Sequence, residues 1–176
     1  MLATYLLRVL ERHSEAMADA LVKDLTTSER TPSYRRLQPD ALRERTRAFY
    51  RHVVDWLADR SEAQIAATYA ALGQQRFDEG IPLEELVYAF ILTKRHVRDS
   101  VSRLNDIESA VELHYVIDLH SMIDLFCDRA LYATVTGFEQ RRRERLHDTP
   151  REQWAKFGIG PSQDVKVSAR LGGWVP

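Results

Sequence analysis

The sequence predicts an all-α fold of about five main helices, of which the last is the longest. Apolar residues recur at spacings of three and four over most of the chain, which is the period of an amphipathic helix. The 7 glycines and 6 prolines fall at a few places, so long stretches are left without helix breakers. Strict alternation of apolar and polar residues appears only in the short piece 165–167, so no sheet is expected.

The helical stripes and the breakers between them place the individual elements. The first stripe ends before a polar segment with Ser28, Pro32 and Ser33, which predicts a loop. The last helix is apolar on more than one face, the pattern of a helix that lies at the centre of a domain. The five helices are predicted near residues 2–26, 39–60, 61–79, 82–104 and 107–146.

Capping signals mark where one helix ends and the next begins. Ser61 and Gln64 have the spacing of a capping box, in which the serine oxygen accepts from a helical N–H and the glutamine side chain reaches back. Gly80 suits the left-handed conformation that ends a helix. Pro82 suits a first-turn position, where its missing N–H costs nothing. Asp106 is expected to cap the last helix, which would begin at Ile107.

Composition indicates one packed domain followed by an extension. The 176 residues are 44% hydrophobic and 29% charged, an ordinary balance for a globular chain. Beyond Gly137 the sequence turns to Glu-Gln-Arg-Arg-Arg-Glu-Arg, then to a short helical pattern with Trp154 and Phe157, and then to a Gly-, Pro- and Ser-rich tail. We therefore predict a helical domain at 1–140 and a charged helix extension with an irregular tail at 141–176.

Charge and cysteine content exclude several classes of protein. The 25 basic and 26 acidic residues are mixed throughout the chain, whereas a nucleic-acid-binding surface needs clustered positive charge. No apolar run approaches the roughly 20 residues that span a bilayer. The single cysteine, Cys127, has no partner for an internal disulfide, which fits a reducing compartment. We expect a cytoplasmic protein that binds neither nucleic acid nor membrane.

The sequence predicts no catalytic residue, no metal ligand and no cofactor. It lacks a P-loop, a dinucleotide-binding glycine motif, a His-Glu-x-x-His zinc motif and a Gly-x-Ser-x-Gly nucleophile motif. His114 and His120 are six residues apart and diverge by about 240° around a helix. Pairing them with Asp118 and Asp124 gives two ligands each, fewer than a zinc site needs. Cys127 lies beside Asp124, whose charge opposes a thiolate, and is predicted to be a buried structural residue.

Two alternatives stay open beside this non-catalytic interpretation. In a haem-binding sensor, His96 or His120 would be the iron ligand, although Lys94 and Arg95 beside His96 do not suit the apolar pocket that a haem needs. The other alternative is an enzyme whose site is assembled from Arg and Asp side chains that meet only in the fold. A pocket with convergent polar groups would favour that alternative.

Two segments are the most distinctive parts of the chain: residues 76–101, RFDEGIPLEELVYAFILTKRHVRDSV, and residues 121–140, SMIDLFCDRALYATVTGFEQ. The first has a helix end at Gly80 followed by Ile81-Pro82-Leu83. The second has Asp128-Arg129-Ala130 followed by the aromatic Tyr132. Together they resemble the N-terminal sensor domains of RsbR-type proteins, the RsbT co-antagonists of bacterial stressosomes. The resemblance covers most of residues 1–140.

This resemblance implies a globin-like helical fold without haem, a homodimer, and relay of a signal to a C-terminal effector such as a STAS domain. The chain departs from that pattern because only about 36 residues follow Gln140, too few for such an effector. We therefore expect a stand-alone sensor or one whose signalling partner is a separate chain. It would act in a stressosome-like stress-response pathway by binding and dimerisation, without catalysis.

The dimer interface is expected mainly on the last helix. One stripe of that helix, through Val116, Ile123 and Ala130, can face the core of its own protomer. A second stripe then points elsewhere and needs cover, and a two-fold interface would bring the same patches together from both subunits. The first helix has a similar surplus of apolar residues. The predicted interface residues are Leu119, Met122, Phe126, Ala133, Leu6 and Val9.

Overall fold

The five predicted helices are present in a computed structural model of the chain, which describes residues 2–59, 61–103 and 110–148. They are α1 Leu2–Thr27, α2 Pro39–Asp59, α3 Glu62–Asp78, α4 Leu83–Arg103 and α5 Ala110–Asp148, with a short 3₁₀ helix, Pro32–Arg36, between α1 and α2. These ranges contain no strand, so the all-α fold with a long C-terminal helix is confirmed. The cap predicted at Asp106, the helix start at Ile107 and the short helix with Trp154 and Phe157 lie outside the described residues.

The chain divides into two units, Met1–Arg142 and Arg143–Pro176. The helix crossings, the core and the cavities belong to the first unit. Of the second unit, the structure describes residues 143–148, which are the end of α5. Within the described ranges, no helix combines the length and the apolar character that crossing a membrane requires.

The middle of α5 forms the centre of the core. Leu119, Ile123, Phe126 and Ala130 have no exposed surface at all. The ring of Phe126 contacts three aromatic rings from α2 and α3 at centroid distances of 5.6–5.8 Å: Phe49, Trp56 and Tyr69. Such edge-to-face and tilted pairs stabilise beyond the area that they bury. Helix α1 packs against α2 and α4 on the outside of this cluster.

The turn between α2 and α3 confirms half of the predicted capping box. The Ser61 hydroxyl oxygen accepts from the backbone N–H of Gln64 at 3.3 Å. The N–H of Ser61 itself donates to the carboxylate of Asp59 at 3.0 Å. The preceding aspartate thus takes the role that the sequence pattern assigned to the side chain of Gln64.

The turn after α3 depends on Gly80, which has φ of 70°. The N–H of Gly80 donates to the carbonyl of Phe77 at 3.0 Å, and the N–H of Ile81 donates to the carbonyl of Arg76 at 3.1 Å. This pair of hydrogen bonds is a Schellman motif, and its last residue, Ile81, is buried in the core. Pro82 stands directly before the first residue of α4, one position earlier than its predicted first-turn place.

Helices α3 and α5 cross so closely that their backbones touch. A Cβ atom on Gly73 would lie 1.9 Å from the carbonyl oxygen of Thr134, and one on Gly137 would lie 2.0 Å from that of Ala70. Only glycine allows this approach, since any side chain would overlap with backbone atoms. Ion pairs join the two helices on either side of the crossing: Arg129–Glu62 and Arg141–Asp78.

The two distinctive sequence segments face each other across α4 and α5. Lys94 pairs with Asp128 at 2.9 Å, and Arg98 pairs with Asp124 at 2.9 Å. The basic residues of the first segment thus lie against the acidic residues of the second.

Candidate functional site

A cavity of about 360 Å³ lies between α2 and α3 and extends to α1, the 3₁₀ helix and α4. Most of its wall is apolar, with buried Leu21 and Phe90 at its inner side. Ala71 and Gln75 belong to its lining and are exposed, so the cavity opens to solvent between α2 and α3. Small-molecule sites are mostly apolar and occupy about 300–1,000 Å³. We call this space the α2–α3 cavity.

One end of the α2–α3 cavity is positively charged. Arg45 donates from both terminal nitrogens to the Glu79 carboxylate, at 3.2 and 2.7 Å, and Arg76 donates to the same carboxylate at 2.7 Å. Two guanidinium groups therefore share one carboxylate. Both arginines line the cavity, whereas Glu79 does not. Arg76 is only 5% exposed, which is unusual for an arginine.

The Schellman motif explains why Arg76 is held there. The carbonyl of Arg76 is fixed by the N–H of Ile81, and Glu79 is the residue directly before Gly80. Backbone hydrogen bonds thus hold the last turn of α3 at both members of the ion pair, through the carbonyl of Arg76 and the N–H of Glu79. Burial lowers the pKa of Arg76, but it stays far above neutral pH because a guanidinium keeps its proton in proteins.

Tyr34 reaches the same cavity from the 3₁₀ helix. The backbone N–H and the hydroxyl of Ser33 donate to the buried carboxylate of Glu85, at 2.7 and 2.9 Å, which ties this short helix to α4. Burial raises the pKa of Tyr34 to about 12, so its hydroxyl stays protonated at neutral pH. The charges of Arg76 and Glu85 also act on this hydroxyl, with smaller effects.

The far end of the cavity is neutral. His52 Nδ1 lies 3.3 Å from the hydroxyl of Tyr69. Burial lowers the pKa of His52, with smaller and opposing effects from Asp55 and Arg51, so the imidazole is uncharged at neutral pH. Burial raises the pKa of Tyr69, so its hydroxyl keeps its proton.

The polar groups of the cavity do not form a catalytic arrangement of Arg and Asp. Its lining contains no Asp, Glu, Ser or Cys side chain. Two threonines of the lining donate hydrogen bonds from their hydroxyls to backbone carbonyls of their own helices: Thr46 to Leu42 and Thr93 to Ala89. The cavity is therefore suited to binding through donors and apolar surface.

The two histidines of the haem alternative lie away from this cavity. His96 Nε2 is 2.8 Å from the Asp24 carboxylate, in a separate cleft of about 480 Å³ between α1 and α4 that Asp99 also lines. His120 Nε2 lies 3.4 Å from the hydroxyl of Ser102. Neither histidine belongs to the lining of the α2–α3 cavity.

The other candidate site residues from the sequence lie on α5: His114, Asp118, Asp124 and Cys127. His114 lies 3.5 Å from Asp118, while Asp124 pairs with Arg98 of α4. Among the residues that the structure describes, no cluster of three or more His, Cys, Asp or Glu side chains is arranged to hold a metal ion. Cys127 is buried, and burial raises the pKa of its thiol to about 12.

The residues predicted to form a dimer interface lie mostly inside the protomer. Leu119 and Phe126 are fully buried, and Ala133 is 7% exposed. Met122 is partly buried against the same core. Because this stripe of α5 is buried, with Phe126 against rings of α2 and α3, it does not point away from the core as the pattern suggested. Leu6 and Val9 lie on α1, and their side chains are outside the described part of the chain. Among the side chains of α5 that the structure describes, the exposed large apolar ones are Leu113, Tyr115, Ile117, Leu125, Tyr132 and Leu146.

Sequence reasoning did not find the charged end of the cavity. Arg76 carries a signal, because it follows Ile65, Tyr69 and Gly73 at helical spacing on the buried stripe of α3. A charged residue at such a position indicates a buried ionic group. Arg45 and Tyr34 carry no comparable signal, since nothing local shows that they converge with Arg76.

Comparison with known protein families identifies a related domain. Residues 15–153 match the family described as the RsbT co-antagonist protein rsbRD N-terminal domain. No curated protein and no solved structure matches the chain. The matched residues include all of the α2–α3 cavity lining and the α3–α5 crossing.

Proposed function

Because the chain belongs to the family of RsbT co-antagonist protein rsbRD N-terminal domains, we propose that it is a cytoplasmic sensor domain of a stressosome-type signalling pathway. It acts without catalysis, by binding a small molecule in the α2–α3 cavity and by pairing with a second copy of itself. The observation that carries this proposal is the cavity itself, whose wall includes the helix that touches α5.

Helix α3 connects the cavity with α5. Thr68, Leu72 and Arg76 line the cavity, and Gly73 on the same helix meets the backbone of Thr134. A shift of α3 on ligand binding is passed to α5 by backbone contact, since no flexible side chain lies between the two helices at the crossing. Packed interfaces of this kind change between discrete arrangements instead of deforming smoothly.

A cavity-filling substitution tests this coupling without knowledge of the ligand. Ala89 lines the cavity and is 7% exposed, so Ala89→Leu places apolar atoms in the space that a ligand would occupy. We expect hydrogen exchange of the α5 amides around Gly137 to change by about threefold or more. The control is Ala58→Leu, which adds the same side chain at an exposed position of α2. Unchanged α5 exchange in a folded Ala89→Leu protein would contradict the proposed coupling.

Self-association is proposed to use the exposed apolar face of α5. Ile117, Leu125 and Tyr132 are 53%, 37% and 76% exposed. Their positions fall within an arc of about 80° around the helix and therefore share a face. Leu125→Asp is expected to give a folded monomer, whereas the wild-type chain at tens of micromolar should scatter light as a dimer. A monomeric wild type under these conditions would refute this part of the proposal.

A further inference from the structure

We propose that the α2–α3 cavity binds an organic acid with a single carboxylate and an apolar body, and that Arg76 and Tyr34 hold the carboxylate. This inference rests on the proposed function, because it names the class of ligand for the same site. The apolar body would lie against the inner wall, where Leu21, Phe49 and Phe90 are buried.

Arg76 supplies the first argument. It is 5% exposed and lines the cavity, yet the described residues give it one hydrogen bond, from Nη1 to Glu79. A guanidinium has five N–H donors. Its remaining donors are therefore open to an acceptor in the cavity, where a ligand carboxylate would take the place of water.

Tyr34 supplies the second argument, and it comes from a different element. Its side chain is 5% exposed and lines the cavity, and no hydrogen-bond partner for its hydroxyl is found among the described residues. Tyr34 and Arg76 line the same cavity, and the charge of Arg76 acts on this hydroxyl. A hydroxyl and a guanidinium that border one cavity are the partners that a carboxylate requires.

The charged groups that line the cavity favour an anionic ligand over a cationic one. Arg45 and Arg76 line it, and both bond to the carboxylate of Glu79. The carboxylates of Glu79 and Glu85 are not part of the lining, and His52 at the other end is uncharged. A ligand carboxylate would therefore meet guanidinium groups at this end, while a ligand amine would be repelled by them.

The test measures binding of matched probes to the full chain by calorimetry at pH 7.5. Octanoate, 1-octanol and octylamine share one apolar body and differ in the headgroup, and 2-naphthoate with 2-naphthol distinguishes an aromatic from an aliphatic body. We expect at least one of the two acids to bind with 1:1 stoichiometry, about tenfold or more tightly than its neutral counterpart. Octylamine is expected to bind more weakly than octanol.

Two variants and one control assign the headgroup partners. Arg76→Met and Tyr34→Phe should each reduce acid binding several-fold and leave binding of the neutral counterpart within about twofold of wild type, which also shows that the cavity remains formed. Arg43→Met is the control, because Arg43 belongs to the same helix as Arg45, pairs with Asp19 and does not line the cavity. It should leave both affinities unchanged.

The outcomes separate this inference from the proposed function. Equal binding of acid and neutral counterpart, binding of neither acid, or an acid preference that survives Arg76→Met would each overturn the inference. If Ala89→Leu still changes α5 exchange in that case, the sensor proposal stands with a different ligand. If an acid binds as expected but leaves α5 exchange unchanged, the ligand class is correct and the proposed coupling is wrong.

Discussion

Gly137→Ala adds one methyl group at the point where α5 crosses α3. The new Cβ atom would lie 2.0 Å from the carbonyl oxygen of Ala70 and 2.6 Å from its carbonyl carbon. Ordinary contacts begin near 3.4 Å, so the helices must separate by about 1.4 Å at this crossing. The atoms that clash belong to the backbone, so a change of rotamer cannot relieve the overlap.

The expected loss of stability follows from two opposing effects. Alanine is a better helix former than glycine by about 0.8–1.0 kcal/mol, which favours the variant. Overpacking costs about 1–3 kcal/mol, and the absence of a flexible neighbour puts this site at the upper end. We expect a net loss of about 2 kcal/mol in the free energy of unfolding, or a fall in Tm of about 4–8 °C.

Urea denaturation followed by circular dichroism measures this difference. Thr136→Ala is the matched control, because it introduces the same residue one position earlier on the exposed side of α5. The control should keep wild-type stability to within about 0.5 kcal/mol. A Gly137→Ala protein as stable as wild type, or more stable, would show that the two backbones are not in contact.

Three further outcomes follow from burial. Phe126→Asp is expected to unfold the chain, because it places an unpaired charge among the rings of Phe49, Trp56 and Tyr69. The adjacent Leu125→Asp should stay folded, and far-ultraviolet circular dichroism distinguishes the two variants. A folded, helical Phe126→Asp monomer would instead show that Phe126 belongs to the dimer interface. Burial raises the pKa of the Cys127 thiol to about 12 in the folded protein. This thiol should therefore react with a disulfide reagent near pH 7.5 roughly a thousandfold more slowly in the folded protein than in the chain unfolded by urea. Equal rates in the two states would contradict its burial. Because burial lowers the pKa of His52 in the folded state, the unfolded chain binds its proton more readily. Stability should therefore fall as the pH drops from about 7 to 5, and less steeply in His52→Gln; equal slopes would show that His52 is not responsible.

Local features of the fold were predictable from the sequence because each depends on a few neighbouring residues. The helical period and its interruption around Pro32 placed the elements, and the left-handed Gly80 ended α3 as predicted. Ser61 accepted its expected helical N–H. Such signals require only the conformational preferences of residues within one turn of each other.

The candidate site was not predictable in the same way. Arg45 and Arg76 are 31 positions apart and meet at Glu79 only because α2 and α3 lie side by side. Tyr34 joins them because Glu85 of α4 holds Ser33. The distinctive segment 76–101 contains Arg76, Glu79 and Glu85, but its residues do not indicate which cavity they border.

The sequence alone determined which residues of α5 are apolar, and the tertiary structure decided which of its faces is covered. Periodicity showed two apolar stripes on α5, one with Ile123 and one with Phe126. The prediction that only the first faces the core assumed that one protomer has too few helices to cover both stripes. The structure buries both, since α2 and α3 also pack on α5 and the glycine crossing brings α3 within backbone contact. A helical pattern records which side chains avoid water, but which neighbour excludes the water depends on contacts between elements far apart in the chain.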